Sequence, residues 1–272
     1  MNEVICERTG IHFECYGSGH PIVILHPLAT DLRSMNSWIE PIFSELPGFK
    51  RIYIDYPAHG YSRIKDGTKT TDKILEVLLE FLSQELGEKS FSMIGFSFGG
   101  YLAQGILAAK ESQVRAICLM SPPLKLENRA LPTKEVFKQD PGILSNLNPD
   151  IAAAFEVLMV NQTKENLERF MNEFQPGREL ADRSFLQSDW RTKGYHFSFH
   201  PFPPEKTYPQ TALILTAKND HICGYKDHFG LLDHFPNGTY VVLGNCGHMM
   251  QIEQREKVTL LIGNWINEII IE

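Results

Sequence analysis

The five residues Gly95-Phe96-Ser97-Phe98-Gly99 set a serine between two large aromatics, with a glycine on either side. Two glycines weaken a strand, because each loses extra backbone entropy and offers no side chain to pack. One geometry uses all five positions: a sharp strand-to-helix turn that holds the serine at its tip, flanked by glycines where backbone approaches too closely for a Cβ. A serine hydroxyl is a weak nucleophile until a base takes its proton, and the base needs a third group to orient it. Two later apolar runs, "TALILTA" (211–217) and "TYVVLG" (239–244), are followed at once by Asp220 and His248. Residues that do chemistry on parallel sheets sit at the carboxyl ends of strands, so Ser97, His248 and Asp220 are the candidate catalytic set, for acyl transfer through an activated serine. The developing oxyanion needs backbone donors, each worth about 3 kcal/mol of barrier. Phe98 follows the nucleophile and supplies one N–H. The loop in "VILHPLAT" supplies the other: Pro27 has none to give, so Leu28 is the first residue after it that can.

These groups must be held by a frame. "PIVIL" (21–25) and "KRIYID" (50–55) read as buried strands, and 72–86 as an amphipathic helix with Ile74, Val77, Leu78, Phe81 and Leu82 on one face. Ser92-Met93-Ile94 has strand character, and Tyr101, Leu102, Gly105, Ile106 and Ala109 recur at helical spacing. "VRAICLM" (114–120) is the next strand. Such βαβα alternation predicts an α/β fold with a mostly parallel central sheet covered by helices on both faces. The pattern breaks after Pro122-Pro123. Residues 124–207 hold no convincing strand, two helical segments and many aromatics, and the chain leaves them through "HPFPPEKTYPQ". The expected organisation is a core domain of 1–123 and 208–272 with a helical cap insertion at 124–207.

Composition narrows the partners. The 272 residues carry 26 basic against 33 acidic side chains, a net charge of −7 with no basic run, which disfavours a nucleic-acid partner. No segment approaches the roughly 20 apolar residues that cross a bilayer. The opening "MNEVICERTG" lacks the basic and apolar regions of a secretory leader. Five cysteines, an odd number without a C-x-x-C pair, fit free thiols in a cytoplasmic protein. The expected partner is a small-molecule substrate, with no cofactor, no membrane and no set oligomeric state.

In order along the chain, "LHPLAT", "DYPAHGYS", "GFSFGG", "AKNDHICG" and "GNCGHMMQIEQ" resemble the landmarks of the α/β-hydrolase superfamily with a cap inserted after the sixth strand. The resemblance implies the triad order Ser97, Asp220, His248. Two positions depart from the usual pattern: His26-Pro27 stands where His-Gly is common, and Ala58, followed by His59, where a glycine is common. The second departure is expected to reshape the pocket mouth. The elbow residue is serine, where dehalogenases and epoxide hydrolases of this fold carry aspartate.

Three functions compete. The first is a serine hydrolase acting on a small ester or lactone. The second is a C–C bond hydrolase of the meta-cleavage type, whose carboxylate-bearing substrate would use Arg178, Arg183 or Arg191 as an anchor. The third is a hydrolase-fold small-molecule receptor or signalling protein. Phe96, Phe155 and Trp190 are candidate substrate contacts. His196, His200, His221, His228 and His234 form no metal-binding spacing, so no metal is expected. Cys223 and Cys246 read as small buried hydrophobes.

Overall fold

The computed structural model describes residues 2–64, 67–125 and 127–271. Its elements, in chain order, are β1 (Asn2–Ile5), β2 (His12–Gly17), β3 (His20–Leu25), α1 (Arg33–Ile39), β4 (Phe49–Asp55), α2 (Thr71–Leu86), β5 (Phe91–Phe96), α3 (Phe98–Ala109) and β6 (Val114–Met120). Then follow β7 (Lys138–Gln139), α4 (Pro149–Leu158), β8 (Asn161–Gln162), α5 (Lys164–Arg169), α6 (Gln175–Leu180) and α7 (Arg183–Leu186). The chain closes with β9 (Thr211–Ala217), α8 (Leu231–His234), β10 (Gly238–Leu243), α9 (Met250–Glu253) and α10 (Arg255–Ile271).

Eight strands form one sheet in the order β1-β2-β4-β3-β5-β6-β9-β10. The pairs from β4 through β10 are parallel, and only the edge pairs β1–β2 and β2–β4 run antiparallel. Strand alternation divides the core in two. Val23, Leu25, Ile52, Ile54, Met93 and Ile117 face α2 and α3, while Ile22, Ile24, Tyr53, Ile94 and Cys118 face α1 and α10. Both faces of the sheet are thus dry, as parallel strands require.

The expected strands and helices of this frame are present, and α2 begins one residue earlier than the periodicity predicts, capped by the Thr70 hydroxyl accepting from the Lys73 N–H at 3.2 Å. The edge strands β1 and β2 and the short α1 were not legible. Between β6 and β9 the chain is mainly helical, with one difference from expectation: β7 and β8 pair in parallel as a two-residue ladder. The predicted helix over "KENLERFMNEF" passes through one widened turn at Phe170–Phe174 into α6.

Candidate active site

β5 delivers Ser97 and α3 starts one residue later. Ser97 itself adopts φ +52°, a backbone conformation that residues other than glycine rarely take. It stays there because its neighbours leave no alternative. Its N–H donates to the Met120 carbonyl at 2.8 Å, continuing the sheet, while its own carbonyl accepts from Tyr101 at 3.0 Å, starting the helix. The flanking glycines are required by contact. A Cβ on Gly99 would lie 2.4 Å from the Leu25 and His26 carbonyl oxygens, and one on Gly95 would lie 2.7 Å from the Gly100 Cα.

The three candidate catalytic side chains meet. His248 Nε2 lies 2.9 Å from Ser97 Oγ, and His248 Nδ1 lies 2.9 Å from Asp220 Oδ2. The other carboxylate oxygen, Oδ1, accepts from the Ile222 and Cys223 N–H groups, each at 2.9 Å. Burial alone would raise the Asp220 carboxyl. The facing His248 and the two N–H donors outweigh it and hold the group below its ordinary value. Asp220 is therefore a fixed anion, and a fixed anion at Nδ1 sets the tautomer that leaves Nε2 free to accept the serine proton. The Phe96 ring leans on the imidazole at a centroid distance of 5.3 Å.

Ser97, His248 and Leu28 open onto a cavity of about 350 Å³. Phe98 is the first residue of α3, so its N–H has no carbonyl one turn back to bond. The sheet side supplies the nucleophile and base. The segment between β6 and β9 supplies the facing wall: Arg129, Leu158, Phe174, Arg191, Tyr195 and His196. No Asp or Glu lines this cavity among the described residues. The Arg129 guanidinium donates to the Ile222 carbonyl at 2.6 Å, and that of Arg191 lies 4.9 Å over the Tyr195 ring. The wall is aromatic and cationic together.

Several expectations are corrected here. Phe96, Phe155 and Trp190 do not line the cavity. Phe96 lies on the sheet face packed by α1 and α10. Phe155 packs edge-on against Phe170 at 5.4 Å, and Trp190 edge-on against Phe98 at 5.7 Å. Phe96 ends β5 with its ring in that sheet core, and the segment between β6 and β9 buries Phe155 and Trp190 in the two cores, leaving Phe174 and Tyr195 at the cavity. Ala58 and His59 do not line the cavity themselves; both are buried, and His59 meets the Leu28 loop from behind, through the Ala29 N–H. Of the three arginines considered as anchors, Arg178 and Arg183 both pair with Asp150, and only Arg191 reaches the cavity. Arg129 carried no local signal, because its segment has neither strand nor helix periodicity.

Asp220, Cys223 and His248 are also the one group of described residues whose metal-ligating atoms lie within 4.8 Å of one another. Burial, then the Asp220 charge, pushes the Cys223 thiol well up, so it stays protonated and is a poor ligand or nucleophile.

A family model described as α/β hydrolase fold matches residues 20–254, which include the elbow, Asp220 and His248. The chain belongs to the α/β-hydrolase family. Among solved structures, an α/β superfamily hydrolase from Oenococcus oeni PSU-1 superposes on this hydrolase with a TM-score of 0.89, at 29% identity over 99% of both chains. An esterase from Exiguobacterium antarcticum gives a TM-score of 0.67 at 20% identity over 94% of this chain and 95% of its own, a likeness of fold alone. Among curated relatives, the 2-hydroxymuconate semialdehyde hydrolase of Pseudomonas sp. (strain CF600) is 24% identical over 279 residues, covering 96% of this chain and 91% of the relative.

Proposed function

We propose that this α/β-hydrolase is a serine hydrolase that cleaves a small ester or lactone bearing a carboxylate. The observation that carries the reading is the pair of 2.9 Å contacts joining Ser97, His248 and Asp220 at the wall of one cavity. His248 takes the Ser97 proton as Oγ attacks the substrate carbonyl. The Leu28 and Phe98 N–H groups receive the oxyanion, and His248 passes the proton to the departing alkoxide. Water activated by His248 then attacks the acyl-enzyme, the acid leaves and Ser97 regains its proton. Arg129 and Arg191, with no acidic side chain beside them in the wall among the described residues, favour an anionic group on the substrate.

A second reading is hydrolysis of a C–C bond in a dienoate or vinylogous diketone. Arg191 in the cavity favours it, as do curated relatives named 2-hydroxymuconate semialdehyde hydrolase. The same triad would serve both. The experiment is a panel of paired substrates: methyl butyrate, monomethyl glutarate, a small lactone and a vinylogous diketone acid. Ser97→Ala is expected to abolish turnover of all, and Asp220→Asn to lower kcat by about 10⁴ throughout. Arg191→Met and Arg129→Met should lower kcat/KM for the acidic substrates alone, by about 10-fold or more, the loss of one charged hydrogen bond. Equal losses on methyl butyrate and monomethyl glutarate would refute the carboxylate assignment. Release of a single equivalent per protein would point to a receptor.

A further inference from the structure

We propose that Tyr56 and His59 are positioning residues that aim the Leu28 N–H into the Ser97 cavity, an inference that rests on the serine-hydrolase reading. A peptide unit is planar and trans, so the Leu28 N–H and the Pro27 carbonyl point in opposite directions. Whatever holds the carbonyl aims the N–H. The Pro27 oxygen accepts two hydrogen bonds, from His26 Nδ1 at 2.7 Å and from the Tyr56 hydroxyl at 3.0 Å. The hydroxyl also lies 3.3 Å from the His26 carbonyl, a longer contact that competes weakly for its one hydrogen. Donors on a carbonyl polarise the whole amide, so they also strengthen its N–H toward an oxyanion.

The next peptide is held as well. Ala29 sits at φ +61°, and its N–H donates to His59 Nε2 at 3.0 Å. His59 Nδ1 lies 3.0 Å from the Pro57 carbonyl. A backbone N–H only donates and a carbonyl only accepts, so His59 is fixed as the neutral tautomer with its proton on Nδ1. Leu28 therefore lies between two pinned peptide groups. The pins brace each other: Tyr56 stacks on His26 at 4.1 Å, touches His59 at 4.4 Å and meets Phe98, the other donor residue, at 5.6 Å. Burial raises the Tyr56 phenol and lowers the His59 imidazole, so both keep the protonation state the bonds need near neutral pH. His59 thereby acquires a use that its place in "AHG" did not reveal.

Tyr56→Phe deletes only the hydroxyl, His59→Leu deletes the acceptor, and His59→Gln returns an acceptor at similar reach. Removing an oxyanion donor outright costs about 10²–10³ in kcat. A misaimed donor should cost less, so Tyr56→Phe and His59→Leu are expected to lower kcat by about 10- to 100-fold at unchanged KM, with His59→Gln recovering most of it. Amide hydrogen exchange at Ala29 should speed up in His59→Leu and slow again in His59→Gln. If Tyr56→Phe melts like the wild type and keeps its full kcat, the proposal is overturned, as it is if His59→Gln is no better than a folded His59→Leu. Turnover that survives Ser97→Ala would sink the parent reading instead. The exchange measurement then still decides the clamp, because an Ala29 amide indifferent to His59 would contradict it without any activity being read.

Discussion

Glu253 shows how one side chain outside the chemistry holds the reacting groups. It sits at the end of α9, half-buried, and its carboxylate accepts from three backbone N–H groups. Gly247, next to His248, donates at 2.6 Å; Val160 and Asn161, beyond the α4 wall, donate at 2.8 and 2.6 Å. Burial pushes its pKa from an ordinary 4.5 up to about 7, against the three donors, which pull the other way. A folded pKa above the unfolded one means the folded state binds the proton more tightly. The contribution of Glu253 to stability is thus complete below about pH 4.5 and is lost as pH rises through about 7. The difference in Tm between wild type and Glu253→Ala should shrink from pH 5 to pH 8. A difference that widens instead would show that the N–H donors outweigh burial. Nothing in "MQIEQ" announces this residue, since its partners are backbone groups, two of them more than ninety residues away in sequence.

At the scale of elements, the strand–turn–helix around Ser97 was legible because contact chemistry is written into residue type: only glycine fits at 95 and 99. Gly99→Ala should lower stability by about 1–3 kcal/mol, the usual cost of overpacking, because the Leu25 and His26 carbonyls it would meet belong to the sheet and cannot yield. Gly230→Ala is the control, with ordinary φ and nothing within 4 Å of the added Cβ. Urea denaturation of both variants checks the pair, and equal losses would mean that close approach at the elbow is not what selects Gly99. Strands β3, β5, β6 and β9 were legible as apolar runs because both their faces are buried. β2, "HFECYG", was not: half its length is only partly buried and neither period dominates. The aromatics at Phe155 and Trp190 misled for a related reason. A side chain that packs on a neighbouring element and one that faces a cavity are both apolar, and periodicity cannot tell them apart.

Over the whole molecule, the segment between β6 and β9 is joined to the sheet domain too closely to swing as a separate body. It contributes Phe155, Met159, Phe170 and Phe174 to the core on one side of the sheet, and Trp190, Phe197 and Phe202 to the core on the other. Hydrogen bonds cross at several points: Thr30 Oγ1 donates to the Phe174 carbonyl at 3.1 Å, Thr71 Oγ1 to the Tyr195 carbonyl at 2.8 Å, and the Phe197 N–H to the Tyr101 hydroxyl at 3.0 Å. Gly177 lies so close to the Leu28 loop that a Cβ would be 2.4 Å from the Asp31 nitrogen. Prolines at both junctions, Pro122-Pro123 and Pro201 through Pro209, further restrict the connecting backbone. A shared core and shared hydrogen bonds make unfolding of one part costly without the other, which is the condition for a single cooperative transition. The three tryptophans allow a direct test, since Trp190 lies in the segment while Trp38 and Trp265 lie in α1 and α10. With Trp38→Phe and Trp265→Phe combined, Trp190 fluorescence should be lost at the same urea midpoint as far-ultraviolet circular dichroism, and Trp190→Phe should give the same agreement from the other side. If Trp190 is released at lower urea than the helical signal, the segment is an independent lid, and the cavity wall carrying Arg129 and Arg191 opens without unfolding the sheet.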